Sequence, residues 1–255
     1  MAAKKSDTKA KAKAKAKEKE TEAKVETEET KEEISQNYNP QTIISIGLDE
    51  RLWLEDRHNR VLYLDDYIDD NILHTLILQI AKFNGEDFGK PVEKRVPITL
   101  IINSGGGAAF IGMALVNAIQ NSTTPVIGVC LGICASMAFA IFAVCHLRIS
   151  VPDAVFMVHD GYEFCPSTTT TKAQDWAKFS PRLNERYCKA IASRTKFTVK
   201  ELAEIMPHDN WFFADDLVEM DMVDSIIGKD VELGEIFDFM AEIPETSCDC
   251  EDCDE

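Results

Sequence analysis

Three short stretches of this 255-residue chain carry groups that together could hydrolyse an amide bond. The stretch Asn103–Gly107 is a glycine turn that ends an apolar strand pattern. Ser136 lies where a second strand pattern gives way to a helical one, and His159 ends a third apolar run. Amide hydrolysis needs a nucleophile, a base that takes its proton, and donors for the developing oxyanion. If these ends converge, Ser136 is the candidate nucleophile and His159 the candidate base.

The remaining groups of such a site can be partly assigned from the residues alone. The Met137 amide follows the nucleophile and opens a helix, where backbone N–H groups lack partners, so it is a candidate oxyanion donor. A glycine-rich turn lets the backbone approach a substrate carbonyl closely. A third group must fix the tautomer of His159. Asp160 suits this role poorly, because adjacent residues of a strand point to opposite faces.

Several motifs, in order and with similar spacing, resemble ClpP, the proteolytic subunit of the Clp protease family, which is a self-compartmentalised serine protease. The likeness covers roughly residues 52–228. It implies an α/β fold: a ClpP/crotonase-like spiral of βαβ units with a protruding helical handle. The motifs are Asn103-Ser104-Gly105-Gly106-Gly107, Ala135-Ser136-Met137, Met157-Val158-His159, Trp211-Phe212-Phe213-Ala214-Asp215-Asp216-Leu217-Val218 and Met222-Val223-Asp224-Ser225-Ile226.

The resemblance assigns further roles. Asp209 stands at the position of the residue that orients the histidine, which predicts a Ser136–His159–Asp209 triad, and Gly107 stands at the position of the second oxyanion donor, beside Met137. The implied activity is a serine endopeptidase that cleaves unfolded polypeptides or peptides through an acyl-enzyme. The implied assembly is a homo-oligomeric ring, expected to be heptameric, with a second stacked ring and a Clp-type ATPase unfoldase left open. No cofactor or metal is expected.

The chain also departs from the family pattern. Gly105 replaces a proline of the turn, and Asp160-Gly161 replaces Gln-Pro. In the family, aromatic residues form the clefts in which the partner ATPase docks, and three of those positions here hold Thr99, Ile101 and Asn121. Because aromatic anchors supply much of the binding energy of a docking site, the sequence does not favour docking of a standard unfoldase. A phage-type or mobile-element-encoded branch would fit these departures. The alternatives are a catalytically silent or regulatory subunit of a mixed ring and, less favoured, a crotonase-type acyl-CoA enzyme.

The elements that must position these groups follow from hydrophobic periodicity. Apolar strands alternating with helices predict a parallel sheet covered on both faces, with right-handed crossovers. The predicted strands are 61–64, 97–102, 126–130 and two near Leu147 and Ala154, and the predicted helices are one capped by Asp69-Asp70 and reaching Ile80, then 108–121 and 136–145.

The last third of the domain is less regular. A helical pattern reaches Ser193, and Pro181 predicts a kink or a split at Ser180-Pro181, with Ser180 as a helix cap. Thr198 with Glu201 three residues later predicts a capping box for a short helix ending at Met206. Residues 230–241 show an amphipathic helical pattern.

Changes in composition along the chain predict the domain boundaries. Residues 1–37 form a Lys/Ala- and Glu-rich tail predicted to be disordered, with a nucleic-acid-binding arm or a removable propeptide as alternatives. The first 34 residues hold ten lysines and nine acidic residues, a net charge of about +1. Because the whole chain has a formal net charge of −17, the rest of the chain carries about −18. This disfavours nucleic-acid binding by the protease-like domain, residues 38–242.

No apolar run approaches the roughly 18 residues of a membrane span, and the N-terminal stretch Met1 to Lys19 has no apolar segment of the kind that a signal peptide contains. Four cysteines in apolar segments predict buried, reduced thiols and a cytoplasmic protein: Cys130, Cys134, Cys145 and Cys188. The end of the chain, 243–255, is an acidic tail whose Cys248, Cys250 and Cys253 lack the paired spacing of a zinc site.

Overall fold

The computed structural model describes residues 48–161 and 169–237, with side chains from Arg51 to Ile236 within those ranges. The chain divides into two compact units between Glu55 and Asp56. Helix α1 is Leu48–His58, and every strand among the described residues belongs to the second unit. The predicted tails, 1–37 and 243–255 with their Cys-bearing segment, lie outside the described residues.

A seven-stranded, mostly parallel sheet organises the second unit. Its main path has the order β1-β2-β3-β4-β7, and β5 pairs with β3 and with β6. All of these pairs are parallel except β5 with β6. This confirms the predicted α/β class. The strands are β1 (Val61–Leu64), β2 (Ile98–Ser104), β3 (Val126–Ala135), β4 (Leu147–Ser150), β5 (Val155–Val158), β6 (Asn210–Phe213) and β7 (Ser225–Ile226).

Strand β3 is longer than predicted and serves two parts of the sheet. Its first half pairs with β4, and its last residues, Ile133 to Ala135, pair with β5. Between these halves the register with β2 shifts: Ile102 pairs with Cys130 and Ser104 with Cys134. Two residues of β2 thus span four of β3. Such a bulge redirects a strand, and here it brings the end of β3 alongside β5.

Alternating side chains place apolar residues on both faces of the sheet. On one face Leu62, Leu100 and Ile102 pack with helix residues such as Leu115 and Phe139. On the other, a smaller cluster is closed by two residues from the C-terminal part of the described chain. That cluster contains Val61, Ile101, Ile127, Val129 and Ile149, closed by Ile227 and Ile236. The prediction of a sheet buried on both faces is therefore confirmed.

The helices follow the predicted order, with a local difference at the first crossover. The chain after β1 enters a π-helical turn, Leu73–Ile77, before α2. In this stretch Leu73 is exposed, whereas Leu76, Ile80 and Phe83 are buried. The helices after α1 are α2 (Leu78–Glu86), α3 (Ala109–Gln120), α4 (Met137–Ala143), α5 (Thr170–Ala192), α6 (Val199–Ile205) and α7 (Ala214–Val218).

Of the kink or split predicted at Ser180-Pro181, the split is wrong. Helix α5 is one helix of 23 residues with Pro181 inside it, and Thr169, not Ser180, caps its start by accepting the Lys172 N–H. Proline removes the hydrogen bond to the carbonyl of Ala177. Ala177 and Pro181 are both exposed, so water can solvate that carbonyl. The helix is anchored further on, where Cys188 and Ile191 enter the core.

The other C-terminal predictions have mixed outcomes. Thr198 and Glu201 form the predicted capping box of α6. The predicted final helix is described only to Phe237, where Leu233–Phe237 is a short 3₁₀ helix. The four cysteines predicted to be buried thiols are buried and free of disulfides.

An ion-pair network under the first crossover holds Asp87, whose side chain is fully buried. Its carboxylate accepts hydrogen bonds from Arg60, from Lys90 Nζ at 2.8 Å and from Thr124 Oγ1 at 2.9 Å. Chiefly because of the Arg60 hydrogen bond, the pKa of Asp87 lies well below its usual range. Arg60 also lies 5.1 Å above the ring of Phe83, so the network ties β1 to α2.

We expect Asp87→Asn to lower the free energy of unfolding by about 3 kcal/mol at pH 7, because buried Arg60 would keep only the half-exposed carboxylate of Glu86, at 3.3 Å, as a charged partner. The depressed pKa stabilises the fold fully above the unfolded-state value of about 3.9. That contribution is lost as the pH falls further, toward the lower folded-state pKa. Urea unfolding at pH 7 and pH 3 should therefore show a difference from the unaltered protein that shrinks in acid. The matched variant Asp153→Asn, at an exposed position, should change neither; an equal effect of both variants would contradict the prediction.

Candidate active site

Ser136 occupies a sharp turn between β3 and α4. It is the residue before Met137, the first of α4, and has φ 54° and ψ −122°. A non-glycine residue in such a conformation costs about 1–3 kcal/mol and persists only where its surroundings hold it. The Ser136 N–H donates to the Met157 carbonyl at 2.8 Å, and its carbonyl accepts from Phe139 N–H at 3.0 Å. Backbone hydrogen bonds on both sides of Ser136 therefore hold it in this strained conformation.

His159 reaches the serine because β5 runs parallel to the end of β3. Ala135 pairs with Met157 in that ladder, so the two strands end side by side. His159 follows directly after β5, and its Nε2 lies 2.8 Å from Ser136 Oγ. The side chain of His159 is only 11% exposed. The bulge that steers β3 toward β5 is therefore what brings these two side chains together.

Asp209 reaches His159 through the antiparallel pair β5–β6. Val158 pairs with Asn210, which places the residue before β6 beside the residue after β5. Asp209 Oδ1 lies 3.1 Å from His159 Nδ1. The Asn210 amide secures this turn by donating to the carbonyls of Ile205 and His208, both at 2.7 Å. One strand pair thus brings together His159 and Asp209, which are 50 residues apart in the sequence.

These distances form one hydrogen-bonded chain from serine through histidine to aspartate. With a proton on Nδ1 donated to Asp209, Nε2 of His159 carries a lone pair that can accept a proton from Ser136 Oγ. The Asp209 side chain is 52% exposed, so this end of the chain meets solvent. Asp160, the sequence neighbour of His159, is exposed, and its N–H donates to the Met206 carbonyl.

The glycine turn lies directly against the serine. Ser104 Oγ accepts the Gly106 N–H at 3.1 Å and donates to the Asp66 carbonyl at 2.6 Å, which folds the turn back. Gly106 has φ +98°, and a Cβ placed on it would stand 2.7 Å from Ser136 Cβ and 3.0 Å from Met137 N. The Met137 amide and the glycine turn therefore face the same small space.

Gly107 is held by the segment after β1. Ile68 donates its N–H to the Gly106 carbonyl at 2.9 Å and accepts the Ala108 N–H at 2.8 Å, so the backbone on both sides of Gly107 is fixed. A Cβ on Gly107 would lie 2.4 Å from the Ile68 carbonyl oxygen, which restricts this position to glycine. Gly107 is thus next to the turn that touches Ser136.

Two contacts of the site were not predicted. A role was predicted for Gly107 but none for Gly106, whose approach to Ser136 depends on the three-dimensional register of β2 and β3. No role was predicted for Tyr187 either, whose Oη donates to the Ser136 carbonyl at 2.7 Å. The run of three glycines was the one local signal for the first contact, and no local signal marked the second.

None of the other four histidines takes part in this chain of hydrogen bonds. His146 accepts the Val126 N–H through Nδ1 at 3.1 Å, and burial lowers its pKa to about 4. His58, His74 and His208 are exposed. Within residues 48–161 and 169–237, no three His, Cys, Asp or Glu side chains converge as metal ligands would. No helix in those ranges is both long and apolar enough to cross a membrane.

Comparison with known proteins gives one family. A family model described as Clp protease matches residues 54–230, which include every group described above. The chain is also similar to a protein from Tropheryma whipplei (strain Twist) named ATP-dependent Clp protease proteolytic subunit 2. The two are 30% identical over 172 residues, which cover 66% of this chain and 90% of that relative.

Proposed function

Because the chain belongs to the Clp protease family, we propose that it is a serine endopeptidase that cleaves unfolded polypeptides or peptides inside an oligomeric chamber. Proteolysis of the Clp type follows from that membership. The serine mechanism, the residues that perform it and the chamber are the parts that we add here.

The proposal is carried by the hydrogen-bonded chain of Ser136, His159 and Asp209. In the proposed reaction Ser136 Oγ attacks the scissile carbonyl carbon while His159 Nε2 takes the hydroxyl proton. The imidazolium then gives that proton to the leaving amine as the C–N bond breaks, which leaves an acyl group on Ser136. Water, deprotonated by the same imidazole, then attacks the acyl carbon. The bond from that carbon to Ser136 Oγ breaks, the carboxylic acid product leaves, and the imidazolium returns its proton to Ser136 Oγ. Asp209 keeps the imidazole in the required tautomer and stabilises the imidazolium.

We assign the oxyanion donors to the backbone N–H groups of Met137 and Gly107. The closeness of the Gly106 turn to Ser136 Cβ and Met137 N supports this assignment, because the turn and the amide border one space beside the nucleophile. Fixed backbone donors stabilise the negative oxygen of the tetrahedral intermediate without reorganising during the reaction.

The substrate and the assembly are inferred from the family. A ring of subunits, proposed to be heptameric, would keep the reactive serine away from folded proteins, and a Clp-type ATPase would supply unfolded chains. The relative from Tropheryma whipplei is named ATP-dependent. Thr99 and Ile101, which replace aromatic residues expected in docking clefts, are buried in β2. We therefore expect any ATPase to bind with a docking surface that differs from the family pattern.

We expect a fluorophosphonate probe to label the purified protein at Ser136, because such probes react with serine hydroxyls activated by a base. Ser136→Ala should abolish labelling. Ser193→Ala, which removes a hydroxyl that donates to the Ala190 carbonyl, should retain it. Native mass measured on the same sample reports the ring.

The outcomes separate the parts of the proposal. Labelling that depends on Ser136 in a ring-sized species supports both the chemistry and the chamber. The same labelling in a monomer overturns the chamber alone. A ring without labelling overturns the serine mechanism and favours a catalytically silent subunit.

A further inference from the structure

Tyr187 makes a contact with the catalytic turn that the proposed reaction has not yet used. It lies near the end of α5, 51 residues after Ser136, and its Oη donates to the Ser136 carbonyl oxygen at 2.7 Å. Its ring is partly buried against the main core. Burial raises the pKa of Tyr187, so the phenol keeps its proton and acts as a donor throughout the neutral range.

The acceptor of this bond belongs to the same peptide group as the Met137 N–H. A peptide is planar, and in the trans form its C=O and N–H point in opposite directions. The described residues contain no cis peptide bonds. A bond that fixes the direction of the Ser136 carbonyl therefore also fixes the direction of the Met137 N–H, which points the other way.

This peptide needs support from outside its own turn. Ser136 has a positive φ, and its carbonyl otherwise accepts from the Phe139 N–H, a contact within the first turn of a helix only seven residues long. Tyr187 adds a donor from a separate helix whose last turns are embedded in the core through Cys188 and Ile191. A hydrogen bond to the carbonyl also polarises the amide and makes its N–H a stronger donor.

We propose that Tyr187 is a positioning residue, which orients and polarises the Ser136–Met137 peptide so that the Met137 N–H meets the developing oxyanion. The inference rests on the proposed function, since it assigns Tyr187 to the same reaction. It predicts an effect on the transition state and little effect on substrate binding, because the scissile carbonyl acquires full negative charge only as the reaction proceeds.

The test compares Tyr187→Phe with the unaltered protein on a fluorogenic peptide. Removing one oxyanion donor typically costs about 10²–10³ in kcat; losing only its alignment should cost less, about tenfold, with KM changed less than about twofold. A peptide boronic acid forms a tetrahedral adduct on a catalytic serine. Its inhibition constant should rise by the same factor as kcat/KM falls, since both depend on the oxyanion contact.

Two controls keep the result specific. Tyr63→Phe removes a hydroxyl from a tyrosine that is 45% exposed on β1 and should change neither kcat nor the boronic acid constant. All rates are expressed per fluorophosphonate-labelled site, so unfolded molecules do not count. Tyr187→Leu also removes the hydroxyl but introduces a side chain of a different shape. Its kcat should fall at least as far as that of Tyr187→Phe.

Each outcome bears on one claim. Unchanged kcat per labelled site in Tyr187→Phe or Tyr187→Leu overturns the inference, as does a loss confined to KM, which would indicate a merely structural role. Absence of Ser136-dependent labelling in the unaltered protein overturns the proposed function, and the inference with it.

Discussion

Replacing His159 with alanine should lower kcat by about five to six orders of magnitude, the scale found when the base of a serine protease triad is removed. Without the imidazole at 2.8 Å from Ser136 Oγ, the hydroxyl has no acceptor for its proton. The variant should keep its fold, because His159 stands at the end of β5 and its removal leaves the strand ladder intact. The measurement is kcat on a fluorogenic peptide.

A double variant sharpens this prediction. Ser136→Ala alone should cost about as much as His159→Ala, and the two together should cost no more than either, because residues that act as one unit are strongly non-additive. His74→Ala, an exposed histidine on the π-helical turn, is the matched control and should retain full kcat. A His159→Ala variant with more than about 1% of the original kcat, or a double variant with multiplied losses, would show that the two residues do not share one proton transfer.

Elements with local signals were predicted well. β1 matches the predicted span 61–64, and the capping box of α6 forms between Thr198 and Glu201. In both cases the residues that determine the structure lie within a few positions of one another. Apolar strand patterns and reciprocal cap hydrogen bonds act locally, so a single sequence carries their signal.

Elements whose length depends on tertiary contacts were predicted too short or were predicted to be interrupted. The sequence marks β3 as ending near Cys130, but the strand continues to Ala135 because β5 supplies a second partner beyond the bulge. Pro181 carries a real local penalty, yet α5 continues through it, because the helix is capped at Thr169 and packed at its far end. In each case the contacts that determine how far the element extends come from residues distant in sequence.

The candidate site divides in the same way. The types and order of Ser136, His159 and Asp209 could be recognised from the sequence, and the structure brings the three within hydrogen-bonding distance. Their catalytic roles remain a prediction. The contacts of Gly106 and Tyr187 with the serine turn depend on which strands and helices meet there, which no local pattern records.

The second large effect is expected at Gly106. An alanine there would place its Cβ 2.7 Å from both the Ala135 carbonyl oxygen and Ser136 Cβ, and 3.0 Å from Met137 N. The first two distances are shorter than carbon atoms normally tolerate, and the atoms in the way are backbone or directly attached to it. The φ of +98° adds strain for any side chain. The serine turn and the glycine turn must therefore move apart.

That movement would act on the atoms proposed to do the chemistry. Displacing the Met137 amide from the oxyanion, and Ser136 Oγ from His159, should lower kcat on the order of 10²–10³-fold, the range for losing one oxyanion donor. Misplacement by about 1 Å is enough for an effect of roughly 10². Fluorophosphonate labelling should slow in parallel, since it depends on the same nucleophile.

Gly105→Ala provides the matched control, one residue away in the same turn. A Cβ at Gly105 meets nothing within 4 Å, and its φ lies outside the left-handed region. Alanine there should leave kcat within about a factor of three and raise the free energy of unfolding by about 0.4–1 kcal/mol, because it restricts the unfolded chain. If both variants lose activity equally, the turn needs flexibility and not space. If neither does, the close approach of Gly106 to Ser136 has no part in catalysis. A loss confined to Gly106→Ala is the result that the geometry predicts.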